Sequence, residues 1–183
     1  MMDVRSAVRS PSSQRGGFLA KFKGGGAALP ATPPFKSVAL AGAGGFFAIS
    51  CLVWLTSFSA TPLILGSFGA TCVLIFGFPD APFSQPRNVV VGHVLSSLIG
   101  VTALTLFGPH WWAGGIAAGA AIAAMMATRT VHPPAGSNPV IVFMSQPGWA
   151  FVIYPTLVGA LLLVALALVF NNSTRKTSYP VYW

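Results

Sequence analysis

The side chains best suited to chemistry lie in residues 129–139, a polar, proline-rich stretch between two long apolar segments. His132 could donate to an anion or carry a proton, because the histidine side chain titrates near physiological pH. Ser137 and Asn138 add hydroxyl and amide donors. In the structural alternative, a neutral His132 bonds to a backbone carbonyl freed by the prolines, and Ser137 and Asn138 only cap a helix. Both interpretations stay open at this point.

The prolines of this stretch predict the course of the backbone. Pro133 and Pro134 do not fit inside a helix, and Gly136 frees the chain further. Pro139 suits a first helical turn, where a missing N–H group costs nothing. We therefore expect an extended crossing that turns into a short helix over Val140–Ser145. The free N–H groups at the start of that helix carry partial positive charge, which favours an anion.

A second break precedes this one in the chain. The apolar segment Thr61–Phe78 contains one proline and several glycines, so it is not expected to form one straight helix. Its backbone N–H groups around Gly69, Ala70 and Thr71, together with the Thr71 side-chain hydroxyl, are candidates to face the donors of the later break. If both breaks lie at membrane depth, they must be buried in protein or line a cavity.

The two breaks belong to an internal repetition. One constant offset along the chain superposes identical residues, namely Gly69 with Gly136, Phe76 with Phe143, and Gly92 with Gly159. We therefore interpret the chain as two repeats, about 37–107 and about 111–170, each consisting of a span, a broken segment and a span. Interrupted hydrophobic segments at corresponding positions of two halves indicate a transport site.

The composition excludes a soluble globular protein. Of 183 residues, 54% are apolar and 7% are charged, whereas a soluble domain carries about 25% charged residues. We predict an all-α integral membrane protein with four long transmembrane helices and two shorter broken or re-entrant segments. The expected spans are Ser37–Phe58, Arg87–Phe107, Ala113–Thr128 and Trp149–Phe170.

Catalytic and metal chemistry find little support in the residue types. The acidic residues are Asp3 and Asp80, so no catalytic carboxylate pair is available. Cys51 and Cys72 lie in separate apolar segments without metal-ligand spacing. We therefore expect no enzyme, no metal site and no cofactor.

Basic residues flank the apolar region and give a net charge of +8. Residues 1–36 are predicted to form a disordered basic arm, and residues 171–183 a tail. Because this distribution matches the positive-inside pattern, both termini are expected to be cytoplasmic, and nucleic acid is not an expected partner. An organelle transit peptide is the minority alternative for the arm.

Two topologies fit this orientation. If the breaks re-enter, there are four crossings, and Arg87 and Arg129 lie on the far side. If the breaks cross, there are six, the halves are inverted, and both arginines are cytoplasmic. Either arginine can reach the interface or attract anions to a vestibule. His93 is the remaining ionisable candidate inside a span, and Asp80 is expected to pair with Arg87.

Three blocks of sequence resemble the HPP family of integral membrane proteins. They are HPPAG at residues 132–136, TPLILGSFG at 61–69 and PDAPFSQPRNVVVGH at 79–93. The resemblance covers roughly residues 35–170. It implies a small multi-span protein, usually described as having four transmembrane helices. Plastid and cyanobacterial members are associated with nitrite transport, and for many bacterial members the substrate is only presumed.

The predicted function is a transporter or channel for a small inorganic anion, with nitrite taken from the resemblance. The alternative is a structural or regulatory membrane subunit that acts through a partner protein. We expect a homodimer in a lipid bilayer, in the bacterial inner membrane or, alternatively, the plastid envelope. The candidate residues are His132, Gly136, Ser137, Asn138, Gly69, Ala70 and Thr71 for anion binding, with Arg87, His93 and Arg129 in electrostatic or proton-linked roles.

Overall fold

The structure, a computed structural model, describes residues 18–23, 26–59 and 62–183. The chain divides into two units, residues 1–33 and 34–183. In the first unit, Phe18–Lys23 form a 3-10 helix. The rest of the predicted arm up to residue 17, together with residues 24–25, lies outside the described residues, as does Thr61. All further statements concern the second unit.

Helices and loops account for the described part of the second unit. Its α-helices are α1 (Phe35–Thr56), α2 (Gly66–Cys72), α3 (Pro86–Phe107), α4 (Trp111–Ala127), α5 (Asn138–Ser145) and α6 (Val158–Thr174). A π-helical turn, Val73–Gly77, continues α2, and a 3-10 turn, Pro133–Ser137, precedes α5. Two further turns over residues 149–157 lead into α6. The prediction of an all-α membrane protein agrees with this architecture.

Three helices are long and apolar enough to cross a membrane, namely α1, α3 and the continuous stretch Trp149–Thr174 that ends in α6. The fourth predicted span corresponds to α4, which has only 17 residues. It is shorter than a typical span of about 20 residues and lies at the lower end of the range that can cross a bilayer. Proline and glycine set the limits of α3, since Pro86 lies in its first turn and Gly108 follows it with φ of 72°.

Both predicted breaks are present, but helical structure begins earlier than expected. Residues 62–65 are not helical, and α2 begins at Gly66. In the second break, the 3-10 turn begins at Pro133 because proline is tolerated in a first turn. The prediction of an extended crossing that continues to Val140 is therefore wrong. Ser137 does not cap α5, since its hydroxyl donates to the Pro134 carbonyl at 2.8 Å.

α3 lies at the centre of the unit, where it packs against α4, α5 and α6. Many large apolar side chains of this unit are exposed, among them Phe46, Trp54, Leu106, Ile122, Met144 and Val169. A soluble protein rarely exposes so much contiguous apolar surface. Such a surface suits contact with lipid chains.

The charged side chains of this unit gather at one end, which we call the charged end. They are Lys36, Asp80, Arg87, Arg129, Arg175 and Lys176. Arg175 Nη2 donates to both carboxylate oxygens of Asp80, at 2.5 and 2.6 Å. Ser37, beside Lys36, lines a cavity with this pair, and Arg87 donates to the Thr128 carbonyl at 3.2 Å. The expected Asp80–Arg87 pair is therefore wrong, because Arg175 occupies that place.

Residues 175–183, here called the strap, fold back onto the loop between α2 and α3. Tyr179 is only 2% exposed, and its hydroxyl donates to the Ser84 carbonyl at 2.7 Å. The Val181 N–H group donates to Gln85 Oε1 at 2.8 Å. The predicted tail is thus an ordered part of the charged end.

Candidate functional site

The two breaks and α3 meet at a group of polar side chains that we call the inner cluster. Its members are Thr71 of α2, His93 and Ser97 of α3, His132 and Asn138 of the second break, and Thr156 of the turn before α6, each of them 0% exposed. Polar groups at such burial normally have hydrogen-bond partners. The sequence prediction that the breaks approach each other agrees with this arrangement.

Thr71 connects two histidines. Its Oγ1 atom lies 2.9 Å from Nε2 of His93 and 2.9 Å from Nε2 of His132. The two imidazole centroids are 4.9 Å apart. Thr71 Oγ1 also lies 3.1 Å from the Ser67 carbonyl, one helical turn earlier. A single hydroxyl therefore stands between two groups that can gain or lose a proton.

Asn138 holds the other side of His93. Its Nδ2 atom lies 3.1 Å from His93 Nδ1 and 2.9 Å from Ser97 Oγ. Ser97 Oγ in turn lies 3.0 Å from Thr156 Oγ1. The imidazole of His93 is consequently fixed between the two breaks, with one ring nitrogen bonded to each.

His132 combines a structural bond with a place in the cluster. Its Nδ1 atom lies 2.7 Å from the carbonyl of Phe83, in the loop before α3. The backbone acceptor of the structural alternative therefore exists, although it belongs to a different segment from the prolines. Because Nε2 faces Thr71, the second ring nitrogen remains in contact with the rest of the inner cluster.

Two buried atoms in and beside the cluster have no partner among the described residues. They are Asn138 Oδ1 and Ser67 Oγ. An unpaired buried polar atom costs about 1–3 kcal/mol, so such atoms are rare without a reason. Ser67 lies four residues before Thr71 and therefore on the same face of α2.

Glycines allow the second break to approach α3. A Cβ atom at Gly92 would lie 2.9 Å from His132 Cβ and 3.0 Å from the Thr130 carbonyl oxygen. At Gly100 it would lie 3.0 Å from Pro139 Cα. Real Cβ atoms are almost never this close to other atoms, so any side chain at Gly92 would displace His132.

The predicted backbone donors lie outside the inner cluster. Gly69 and Ala70 are exposed, and because α2 begins at Gly66, their N–H groups lie within the helix. Ser137 is exposed and Gly136 is half-buried. Ala70 and Ser137 instead line an open groove of about 480 Å³ together with residues 73, 74, 133 and 134.

Both predicted arginines also lie away from the inner cluster. Arg87 and Arg129 are exposed at the charged end. Arg129 adopts a left-handed backbone conformation with φ of 57° in the turn after α4. Within residues 18–23, 26–59 and 62–183, no group of three His, Cys, Asp or Glu side chains could hold a metal ion.

Sequence reasoning missed several members of the site. Ser67, Ser97, Thr156 and the Phe83 carbonyl were not among the candidates. Ser97 follows His93 by four residues, which places both on one face of α3. That spacing, inside a predicted membrane span, was a readable signal. The partner of a carbonyl such as that of Phe83 has no such signal.

The model of the family described as HPP, transmembrane region, matches residues 30–180. The chain belongs to the HPP transmembrane family. Two transmembrane proteins of Dictyostelium discoideum are 40% and 38% identical to it over 129 and 131 residues. These matches cover 66% and 67% of this chain but 45% and 42% of the relatives, so the chain spans less than half their length. No solved structure matches the chain.

This HPP chain is a membrane protein, as its family and its long apolar helices both indicate. Its His-Pro-Pro motif has a clear structural role. His132 joins the inner cluster, and the two prolines begin the 3-10 turn that leads into α5. The carbonyl of the next residue, Ala135, accepts a 2.6 Å bond from Ser96 of α3. The motif therefore ties the second break to the central helix.

Proposed function

We propose that this HPP chain is a transporter or channel for a small inorganic anion, with nitrite as the first candidate, and that it is not an enzyme. The proposal depends on one observation. Thr71 and Asn138, one from each break, bond to the two nitrogens of a single buried imidazole, His93. Polar side chains at membrane depth are costly and mark function, and paired breaks are typical of transport sites.

The unpaired atoms support a ligand rather than a purely structural network. The Ser67 hydroxyl can donate a hydrogen bond and the Asn138 carbonyl can accept one. A small oxyanion presents acceptors, and its protonated acid also presents a donor. A polar network that served only packing would be expected to pair both atoms. Nitrite itself comes from the family resemblance, not from this geometry.

We further propose that the chain crosses the bilayer six times. α1, α3 and α5 run away from the charged end, and α2, α4 and α6 return to it, as their contacts at that end indicate. Residues 62–65 and the helical turns to Gly77 together extend roughly 30 Å, which is about the thickness of the hydrocarbon core. The positive-inside rule then assigns the charged end, with both termini of this unit, to the cytoplasm.

An inverted internal repeat fits this topology, because each half crosses three times. A Cβ atom at Gly92 would meet the Thr130 carbonyl at 3.0 Å, and one at Gly159 would meet the Leu63 carbonyl at 2.8 Å. The same offset that relates Gly92 to Gly159 relates Leu63 to Thr130. Each half therefore presents a glycine to the break of the other half, which supports the proposal of two copies of one unit.

Oligomeric state and location are also part of the proposal. The exposed face of α4 carries the small residues Gly115 and Gly119, which allow close helix contact and support a homodimer. We propose the bacterial inner membrane as the site of action, with the plastid envelope as the alternative. Crosslinking in native membranes and fractionation would test these two statements separately.

Uptake of nitrite into liposomes that contain only this protein tests the function. We expect uptake above that of protein-free liposomes. His132→Ala should abolish this uptake, whereas His110→Ala should retain it, because His110 is exposed and only stacks on Trp112. Size-exclusion chromatography would show that both variants fold. If no flux of nitrite, nitrate, formate or chloride were measured, the transporter proposal would be overturned. A subunit that acts through a partner would then be favoured.

A further inference from the structure

The inner cluster contains a hydrogen-bonded chain whose direction can be derived from its ends. A carbonyl oxygen only accepts, so His132 Nδ1 must carry the hydrogen in its 2.7 Å bond to Phe83. In a neutral imidazole the other nitrogen is then a bare acceptor. Thr71 Oγ1 has one hydrogen and two acceptors within reach, His132 Nε2 at 2.9 Å and the Ser67 carbonyl at 3.1 Å. We assign the hydrogen to His132 Nε2, which is the shorter contact.

The hydrogen positions on His93 follow from that of the Thr71 hydrogen. Because the single Thr71 hydrogen lies in the bond to His132, Thr71 Oγ1 accepts a hydrogen bond at its 2.9 Å contact with His93 Nε2. That nitrogen therefore carries a hydrogen, and His93 Nδ1 is bare. Asn138 Nδ2 donates to this bare nitrogen at 3.1 Å. The two neutral histidines thus have opposite tautomers, with the hydrogen on Nδ1 of His132 and on Nε2 of His93.

We propose that His93, Thr71 and His132 form a proton relay that couples the movement of the anion to that of a proton. This inference rests on the proposed function. When His93 takes up a second proton at Nδ1, its Nε2–H bond breaks and that hydrogen passes to Thr71 Oγ1. The original Thr71 hydrogen passes to His132 Nε2. His93 is then neutral and His132 carries the charge, so one proton has moved and no electron has.

Asn138 supplies an acceptor for the protonated state of His93. In the neutral state its amide nitrogen faces His93 Nδ1, and its oxygen has no partner among the described residues. A protonated Nδ1 no longer accepts, so the amide must rotate to present Oδ1 to it. The buried unpaired oxygen is therefore the acceptor that the charged imidazole needs, and Asn138 acts as a positioning residue.

In these surroundings, the protonation of each histidine depends on the other histidine and on a bound anion. His93 contacts Thr71 and Asn138, with the Phe68 ring packed edge-on at 5.1 Å. Among the described residues, no carboxylate and no lysine or arginine is bonded to either imidazole; Arg87 and Arg175 bond elsewhere at the charged end. An extra proton in the relay therefore has no built-in counter-charge, and a bound anion would provide one.

The inner cluster, which contains the relay, extends inward from the charged end. Phe83 lies in the loop at that end, and Ser97 lies eleven residues along α3 from Pro86, which is roughly 16 Å. This distance is about half the hydrocarbon core. The chain of polar groups thus connects the charged end with the middle of the membrane.

A variant pair at Thr71 tests the coupling. Liposomes would contain wild type, Thr71→Ser or Thr71→Val, and nitrite uptake and internal pH would be recorded together under an imposed pH gradient. Protein-free liposomes correct for leakage of nitrous acid. We expect wild type and Thr71→Ser to accumulate nitrite with protons. In Thr71→Val, which keeps the shape without the hydroxyl, gradient-driven accumulation should fall by about tenfold or more, the effect of losing one hydrogen bond to a charged group.

The outcomes separate the two proposals. Wild-type flux that ignores the gradient would overturn the relay and leave the transporter standing. Equal accumulation by Thr71→Val and wild type would also overturn the relay. Absence of any wild-type flux would overturn the transporter, and the next measurement would still decide whether the relay is built as inferred.

Nitrogen-15 NMR of histidine in bilayers tests the relay directly, without transport. The chain contains three histidines, and His110→Gln removes the signal of the exposed one. We expect the signals of the other two histidines to show opposite neutral tautomers. When Thr71→Val is made in the chain that retains His110, the signals of His93 and His132 should change and that of His110 should not. Identical tautomers for His93 and His132, or spectra unaffected by Thr71→Val, would contradict the inference.

Discussion

The inner cluster and the charged end are both polar regions of an apolar protein, but they are bonded in different ways. At the charged end, the exposed Asp80 carboxylate pairs with Arg175, but the buried side chains bond to the backbone: Tyr179 and Ser84 donate to carbonyls, and Gln85 bonds only to backbone groups. In the inner cluster, Thr71, His93 and Asn138 bond mainly to other side chains. Bonds between side chains are only about 10–15% of those in folded proteins.

This difference distinguishes hydrogen bonds that fix the fold from hydrogen bonds that can take part in function. A backbone carbonyl cannot change from acceptor to donor, so the bonds of Gln85 and Tyr179 have one direction. A hydroxyl or an imidazole can be either donor or acceptor, so the bonds of Thr71 and His93 can reverse when a proton moves. The four predictions below test whether the two regions differ in this way.

Two buried asparagines give the largest contrast. Asn138 is 0% exposed and bonds to side chains of the inner cluster, whereas Asn171 is 2% exposed and bonds to the Ile75 carbonyl at 2.9 Å. Asn138→Ala should lower nitrite uptake by about tenfold or more, since it removes hydrogen bonds to His93 and Ser97. Asn171→Ala should lower the free energy of unfolding by about 1–3 kcal/mol and leave nitrite uptake unchanged. Equal loss of uptake in both variants would remove the distinction between the regions.

Glycine substitutions test whether the two halves hold each other's breaks. Gly92→Ala places a methyl group against His132 and the Thr130 carbonyl, and Gly159→Ala places one against the Phe68 ring and the Leu63 carbonyl. Each should destabilise the fold by about 1–3 kcal/mol. Gly69→Ala has open space around its Cβ position and should be neutral or slightly stabilising. Thermal unfolding in one detergent would compare the three variants. A neutral Gly159→Ala would contradict the reciprocal arrangement.

Tyr179→Phe tests the charged end alone. Burial raises the pKa of Tyr179, which keeps its hydroxyl protonated as the donor to Ser84. Removal of the hydroxyl leaves the ring in place and should lower stability by about 1–2 kcal/mol. Nitrite uptake measured well below the melting temperature should remain as in wild type. A variant as stable as wild type would show that the strap contributes by packing only.

Asp80→Asn should have the smallest effect. The Asp80 side chain is 65% exposed, and exposed ion pairs contribute about 1 kcal/mol or less. We expect a fall in melting temperature that disappears as salt is added, because salt already screens the pair in wild type. A large loss that persists at high salt would mean that Asp80 has a role beyond pairing with Arg175.

Local sequence signals predicted the breaks but not the contacts that close over them. Pro62, Pro133 and Pro134 do not fit inside a helix, so the interruptions could be predicted from sequence. Gly69, by contrast, lies within α2. His132, Thr71 and Asn138 stood out as polar residues beside such interruptions. The sequence offered both the Thr71 hydroxyl and the backbone N–H groups around it as donors, and it could not show which of them reaches the histidines, because this depends on the exact start of α2.

Partners that lie far apart along the chain could not be predicted either. Arg175 pairs with Asp80 and Tyr179 bonds to Ser84, each across 95 residues of chain. No periodicity marks such a pair, since charge alone made Arg87 an equally good partner for Asp80. Ser97 and Thr156 were overlooked because a hydroxyl within an apolar segment is usually a packing residue, although the spacing of Ser97 from His93 was a signal.

The strap has a practical consequence for work with the purified protein. Tyr179 is bonded to Ser84, and the adjacent residue, Phe83, supplies the carbonyl that orients His132. A fluorescent protein or affinity tag appended at Trp183 would therefore pull on a segment only a few residues from that carbonyl. Fusion design is thus an experimental variable here, and assays should compare tagged protein with protein from which the tag has been cleaved.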